Sequence, residues 1–166
     1  MITELLLEWE TYCKLSEKRH NAAKTFYNYI NYILTISSLT LLSISNISSL
    51  IVSSISTKQH DELMLVIIFN TISIFSIIII ITQRVLGLIE KANVHNIYSD
   101  LYMSLANEIT FNTINNINDF FIFYKCKLDF IINQSPQVPN FIIKKYPTNT
   151  VITSMYLNID EIYKTI

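Results

Sequence analysis

Between Glu62 and Arg84 lies the run LMLVIIFNTISIFSIIIIITQ, Leu63 to Gln83: twenty-one residues without a charge, a glycine or a proline. As a helix, some twenty apolar residues rise about 30 Å, the thickness of a bilayer's hydrocarbon core. A helix in a water-soluble domain usually keeps one polar face, and this run has none. A strand fares no better, because Ile77 to Ile81 does not alternate and a lone strand in lipid leaves its backbone groups unpaired. The run therefore predicts a transmembrane helix.

A second uncharged stretch, Thr25 to Thr57, precedes it. Its thirty-three residues exceed one crossing, so the span is placed at about 29–52 and the remainder at the interfaces. At 100° per residue, Thr35, Ser38, Ser45, Asn46, Ser49, Ser53 and Ser56 share one sector, interrupted by Leu42. Two readings fit this stripe. Small hydroxyl residues let helices approach and bond across the contact, or the stripe lines a water-filled passage in an oligomer. Ser37, Ser43 and Ser48 lie elsewhere on the helix, which weighs towards packing. On the second span Asn70 and Ser73 share a face, and Asn70 needs a polar partner inside lipid, for which the first helix's stripe is the candidate.

The link between the spans, STKQHDE, is short enough to force an antiparallel hairpin. Lys14, Lys18, Arg19, Lys24, Arg84 and Lys91 lie on the termini side against Lys58 in the link, so both termini are expected in the cytoplasm. Tyr27, Tyr29 and Tyr32 suit the matching interface as an aromatic belt. Met1 to Glu10 lacks the basic start and apolar core of a cleavable leader.

Outside the spans the pattern is again helical. Leu5, Leu6, Trp9, Tyr12 and Leu15 recur at helical spacing with nothing to break the chain before the first span. Val85, Leu88, Ala92, Val94, Tyr98, Leu101, Leu105 and Ile109 carry the period on from the second span, through one tolerated glycine, Gly87, to about residue 118. A bend is expected in TFNTINNIND, Thr110 to Asp119, followed by an amphipathic helix from Phe120 to Asn133 and a break at Pro136, Pro139 and Pro147. The last twenty residues fit a short helix or a strand. The expected architecture is all-α: a two-helix membrane hairpin with long cytoplasmic helical extensions over 1–118, then an amphipathic helix and Pro-containing tail over 119–166.

The runs EKRHNAAKTFYNY, Glu17 to Tyr29, and EKANVHNIYSDLYMSLANEI, Glu90 to Ile109, resemble the SLATT family of two-transmembrane proteins, whose layout is similar over about residues 1–118. The tail NQSPQVPNFIIKKY, Asn133 to Tyr146, resembles the ending of SLATT-like membrane proteins of large DNA viruses. The resemblance implies an oligomerising membrane effector of the kind proposed to form pores or disrupt membranes in nucleotide-triggered bacterial defence. It also implies a viral or host internal membrane as the setting.

Chemistry adds little. His20 and His95 fall at matching positions on the two extensions and can face each other. A metal would need further ligands, with Glu17, Glu90 and Asp100 as candidates, and structural histidines are the simpler reading. Cys13 and Cys126 both fall on the reducing side, which disfavours a disulfide. One glycine in the whole chain excludes a Gly-rich phosphate loop, and no Ser–His–acid arrangement is recognisable, so neither catalysis nor a cofactor is expected. A net charge of −1 argues against nucleic acid as a partner. The expected partners are the bilayer, further copies of the chain, and a protein bound through the C-terminal region, where FFIFY, Phe120 to Tyr124, offers an aromatic surface. Two functions follow: a pore-forming or membrane-perturbing oligomer, or a structural membrane anchor or scaffold, for example of a viral membrane.

Overall fold

A computed structural model of the chain describes the backbone of residues 2–55, 59–112 and 117–147, and the side chains of 4–48, 50, 51, 64–111 and 121–147. Every regular element in it is a helix: α1 (Ile2–Ile55), α2 (Gln59–Val85), α3 (Leu88–Asn112), α4 (Ile117–Gln134) and α5 (Asn140–Lys145). With no glycine or proline before residue 87, nothing stops α1 between its first turn and the link. α3 ends at Asn112 and α4 begins at Ile117; residues 113–116, where the bend within 110–119 is expected, lie outside the described residues. The expected break after residue 133 contains a short helix, α5, between Pro139 and Pro147. The final segment, 148–166, lies outside the described residues.

The second apolar helix does not run on through Gly87 as its period suggests. α2 stops at Val85, and Gly87 takes φ +58°, the left-handed conformation that closes a helix C-terminus at little steric cost only for glycine. Leu86 N–H donates to Thr82 O at 2.9 Å and Gly87 N–H to Arg84 O at 3.1 Å; Lys91 N–H to Gly87 O, 2.9 Å, then starts the next helix. A β-carbon at Gly87 would also meet Glu90 Oε2 at 3.3 Å. Gly87→Ala is expected to lower the stability of the hairpin by about 1–2 kcal/mol, read by denaturant titration in lipid bicelles.

Two compact units emerge, residues 25–92 and residues 1–24 with 93–166. The division expected at residue 118 therefore falls inside the second of these, because α4 belongs to its core. Leu6, Trp9 and Cys13 of α1 bury together with Tyr102, Leu105, Ala106 and Ile109 of α3 and Phe121, Tyr124, Leu128 and Ile131 of α4. Trp9 stacks on Phe121 with ring centroids 4.8 Å apart, and Tyr12 meets Tyr102 edge-on at 6.2 Å. Lys127 Nζ reaches both Glu108 carboxylate oxygens at 2.7 Å and Tyr124 OH donates to the Glu108 carbonyl at 3.3 Å, which fixes α4 along α3. Arg19 donates twice to Tyr146 O, at 2.9 and 2.7 Å, and holds the end of α5 to α1.

In this unit the buried positions of α1 are Leu6, Trp9, Cys13, Ser16, His20 and Ala23, a strict alternation of three- and four-residue steps. His95, Ser99, Tyr102, Ala106 and Ile109 repeat it on α3. This is the seven-residue period of a coiled-coil seam, but much of it is small or polar. Val94 and Leu101, expected on the inner face, are exposed; the stripe is rotated by one residue towards His95 and Tyr102.

Candidate functional site

In the unit of residues 25–92, α1 and α2 lie side by side, and three sets of hydrogen bonds, made by Ser45, Ser76 and Gln83, define their register. Ser45 Oγ donates to Phe69 O at 2.7 Å and pairs with Ser73 Oγ at 2.5 Å. Ser76 Oγ donates to Ser38 O at 2.7 Å. Gln83 Nε2 donates to Thr35 Oγ1 at 2.7 Å, to the Asn31 side-chain oxygen, and to Asn31 O at 3.3 Å. Partner numbers fall along α1 as they rise along α2, so the pair is antiparallel.

The seam is made of serine because serine permits close approach and carries a proton to donate. Ser38, Ser45 and Ser76 are the only buried side chains among the described residues from 25 to 85. The apolar side chains point the other way: Ile33, Ile36, Leu39 and Ile47 on α1 and Ile67, Ile74, Phe75, Ile78 and Ile81 on α2 are exposed. This inverts the arrangement of a water-soluble pair, in which apolar burial supplies the driving force. Both helices are long and apolar enough to cross a membrane, and no more than 11% of either one's most apolar eighteen-residue window is buried, unlike the core helix of a soluble protein.

The stripe residues separate accordingly. Thr35, Ser38, Ser45 and Ser73 meet across the seam, joined by Asn31, Ser76 and Gln83, which the sequence reading did not single out. Ser76 is hidden in an isoleucine run, yet it follows Ser73 by three residues and precedes Gln83 by seven, the spacing of one helix face. Asn46 and Asn70 are not in the seam; both are exposed on the hairpin's outer surface, and the polar group meeting the first helix's stripe is Ser73 in place of Asn70. The side chains of Ser49 and Ser53, and all of Ser56, lie outside the described residues. Ser76→Leu is expected to wedge the helices apart and lower hairpin stability by about 1–3 kcal/mol. Ile78→Leu on the outer surface is expected to stay within about 0.5 kcal/mol in the same bicelle titration.

The other unit brings His20 and His95 together, Nδ1 to Nδ1 at 2.8 Å, with the rings 3% and 2% exposed. One ring must donate and the other accept, so the pair holds one proton between its Nδ1 atoms. His20 also stacks on Tyr102 at 5.5 Å. Burial, followed by the charges of His95 and Arg19, pushes His20 down to about 4; burial lowers His95 as well. Among the described residues no three His, Cys, Asp or Glu side chains gather into a metal-binding group. Cys13 sits in the core with its thiol pushed up to about 12 by burial and then by Glu10, whereas Cys126 is exposed. Both seams are joined by packing and hydrogen bonds.

Comparison with known protein families, curated proteins and solved structures finds no match to the chain.

Proposed function

We propose that the chain is an integral membrane anchor: residues 29–52 and 63–83 cross the bilayer as a hairpin, and the helical unit built on Trp9, Tyr102 and Leu128 works at its cytoplasmic surface as a scaffold for other proteins. The supporting observation is the inverted hairpin, an apolar shell around a serine seam. In water that shell would expose large isoleucine-rich faces; in hydrocarbon it costs nothing, and the seam's hydroxyls hold the helices together where apolar burial cannot. Phe123, Phe130 and Phe141 are exposed on the other unit and supply an aromatic surface of the kind protein partners cover.

The alternative, a SLATT-like pore or membrane-perturbing effector, draws on the polar Asn46 and Asn70 in the apolar shell. The anchor reading is favoured because the hydroxyls of Ser45 and Ser76 already donate within one hairpin. Full-length protein reconstituted in dye-loaded liposomes separates the two. An anchor stays in the vesicles through an alkaline wash and leaves them tight; dye release that Asn46→Leu abolishes would replace it with the pore.

A further inference from the structure

Asn46 and Asn70, both exposed on the outer surface of the hairpin, differ there from Thr40, Ser43 and Thr71. Thr40, Ser43 and Thr71 each return their proton to a carbonyl of their own helix, Ile36, Leu39 and Ile67 respectively, at 2.8 Å. A carboxamide has two N–H donors and a strong acceptor, and no bond within its own helix satisfies all of them. If the hairpin crosses a bilayer, as proposed above, both side chains face hydrocarbon with those groups to satisfy.

Their placement follows from the register. Ser45 reaches both Phe69 and Ser73, so it lies level with the position midway between them. One step further on α1 is one step back on α2, which puts Asn46 level with Asn70. Ser45 and Phe69 touch across the seam, and the two asparagines follow them by one residue each. On antiparallel helices a forward step of about 100° from the contact turns both side chains to the same flank. The hairpin thus carries two carboxamides on one flank at one depth.

We propose that this flank binds the same flank of a second copy of the chain, related by a two-fold axis along the membrane normal. Rotation about that axis preserves depth and opposes α1 of one copy to α2 of the other. Asn46 of each copy then meets Asn70 of its neighbour, twice. The charge complementarity is built in, since each carboxamide presents a positive N–H edge and a negative carbonyl edge, and a facing pair exchanges two N–H···O bonds. The seam inside each hairpin is untouched, so the assembly is a four-helix membrane bundle held by small hydroxyls within a hairpin and by amides between hairpins.

The test uses full-length protein in lipid vesicles, with donor and acceptor dyes on the exposed Cys126, and follows energy transfer as lipid is added. Wild type is expected to associate. Asn46→Leu and Asn70→Leu should each weaken association by about tenfold, since either change removes both reciprocal pairs. The double variant should be no weaker than the singles, and Ser43→Leu should match wild type. Disulfide trapping of mixed Asn46→Cys and Asn70→Cys copies should link unlike copies in preference to like ones. Unaltered association in both single variants, effects that multiply in the double variant, or links between like copies would each overturn the proposal. Protein stripped by alkaline washing would instead remove the membrane reading on which it rests.

Discussion

Trp9→Ala is expected to lower the stability of the unit formed by 1–24 and 93–147 by about 3–5 kcal/mol, the usual cost of removing a fully buried aromatic side chain. Trp9 is 1% exposed and stacks on Phe121, so its ring ties α1 to α4 and its loss opens a cavity at the centre of the core. Domains of this size hold only about 5–15 kcal/mol in all, so the variant should sit near the threshold of folding. Trp9→Phe should be much milder. The indole Nε1–H is buried without a hydrogen-bond partner, and the phenyl ring removes that unsatisfied donor while keeping the stack. Denaturant titration in detergent, followed by circular dichroism, checks both. A loss as large for Phe as for Ala would mean that the indole nitrogen has a partner in solution.

Acidification is expected to destabilise the same unit. Because His20 is held down to about 4 in the folded chain against about 6.5 when unfolded, the unfolded chain takes up a proton that the folded one refuses. The contribution is fully present above pH 6.5 and is lost as the pH falls towards 4. At about 1.4 kcal/mol per pH unit the interval amounts to about 3 kcal/mol. Fluorescence of Trp9, the single tryptophan, reports the transition. His20→Gln should flatten the dependence between pH 6.5 and 4, and a variant as pH-sensitive as wild type would move its origin elsewhere.

What could be read from the sequence and what could not divides along physical lines. The run from Leu63 to Gln83 announces its helix because hydropathy, length and the absence of breakers agree over twenty-one residues. The seam of the other unit is poorly visible for the opposite reason. Its buried positions include Ser16, His20, His95 and Ser99, while Val94 and Leu101 face outwards, so a rule that equates apolar with inside rotates the face by one residue. Of the first span's stripe, Thr35, Ser38 and Ser45 are legible as one face and meet the second helix, whereas Ser76 is hidden among isoleucines and Gln83 beside the charged Arg84. Gly87 needed the backbone: within a continuous helical period a lone glycine looks tolerated, and only its positive φ shows that it ends a helix. The histidines fall opposite each other at positions 20 and 95, yet their shared proton depends on an Nδ1–Nδ1 approach that no spacing specifies.

The central claim is that the apolar shell of the α1–α2 hairpin faces hydrocarbon. Spin labels placed singly at Ile36, Ile47, Ile67 and Ile78 of the full-length protein in vesicles test it most directly, by comparing collision with lipid-dissolved oxygen and with a water-soluble nickel chelate. All four positions are exposed in the structure. High oxygen access with little access to the chelate is the expected result at every one of them. Chelate access as high as at a label on the exposed Cys126 would place the shell in water and contradict the account.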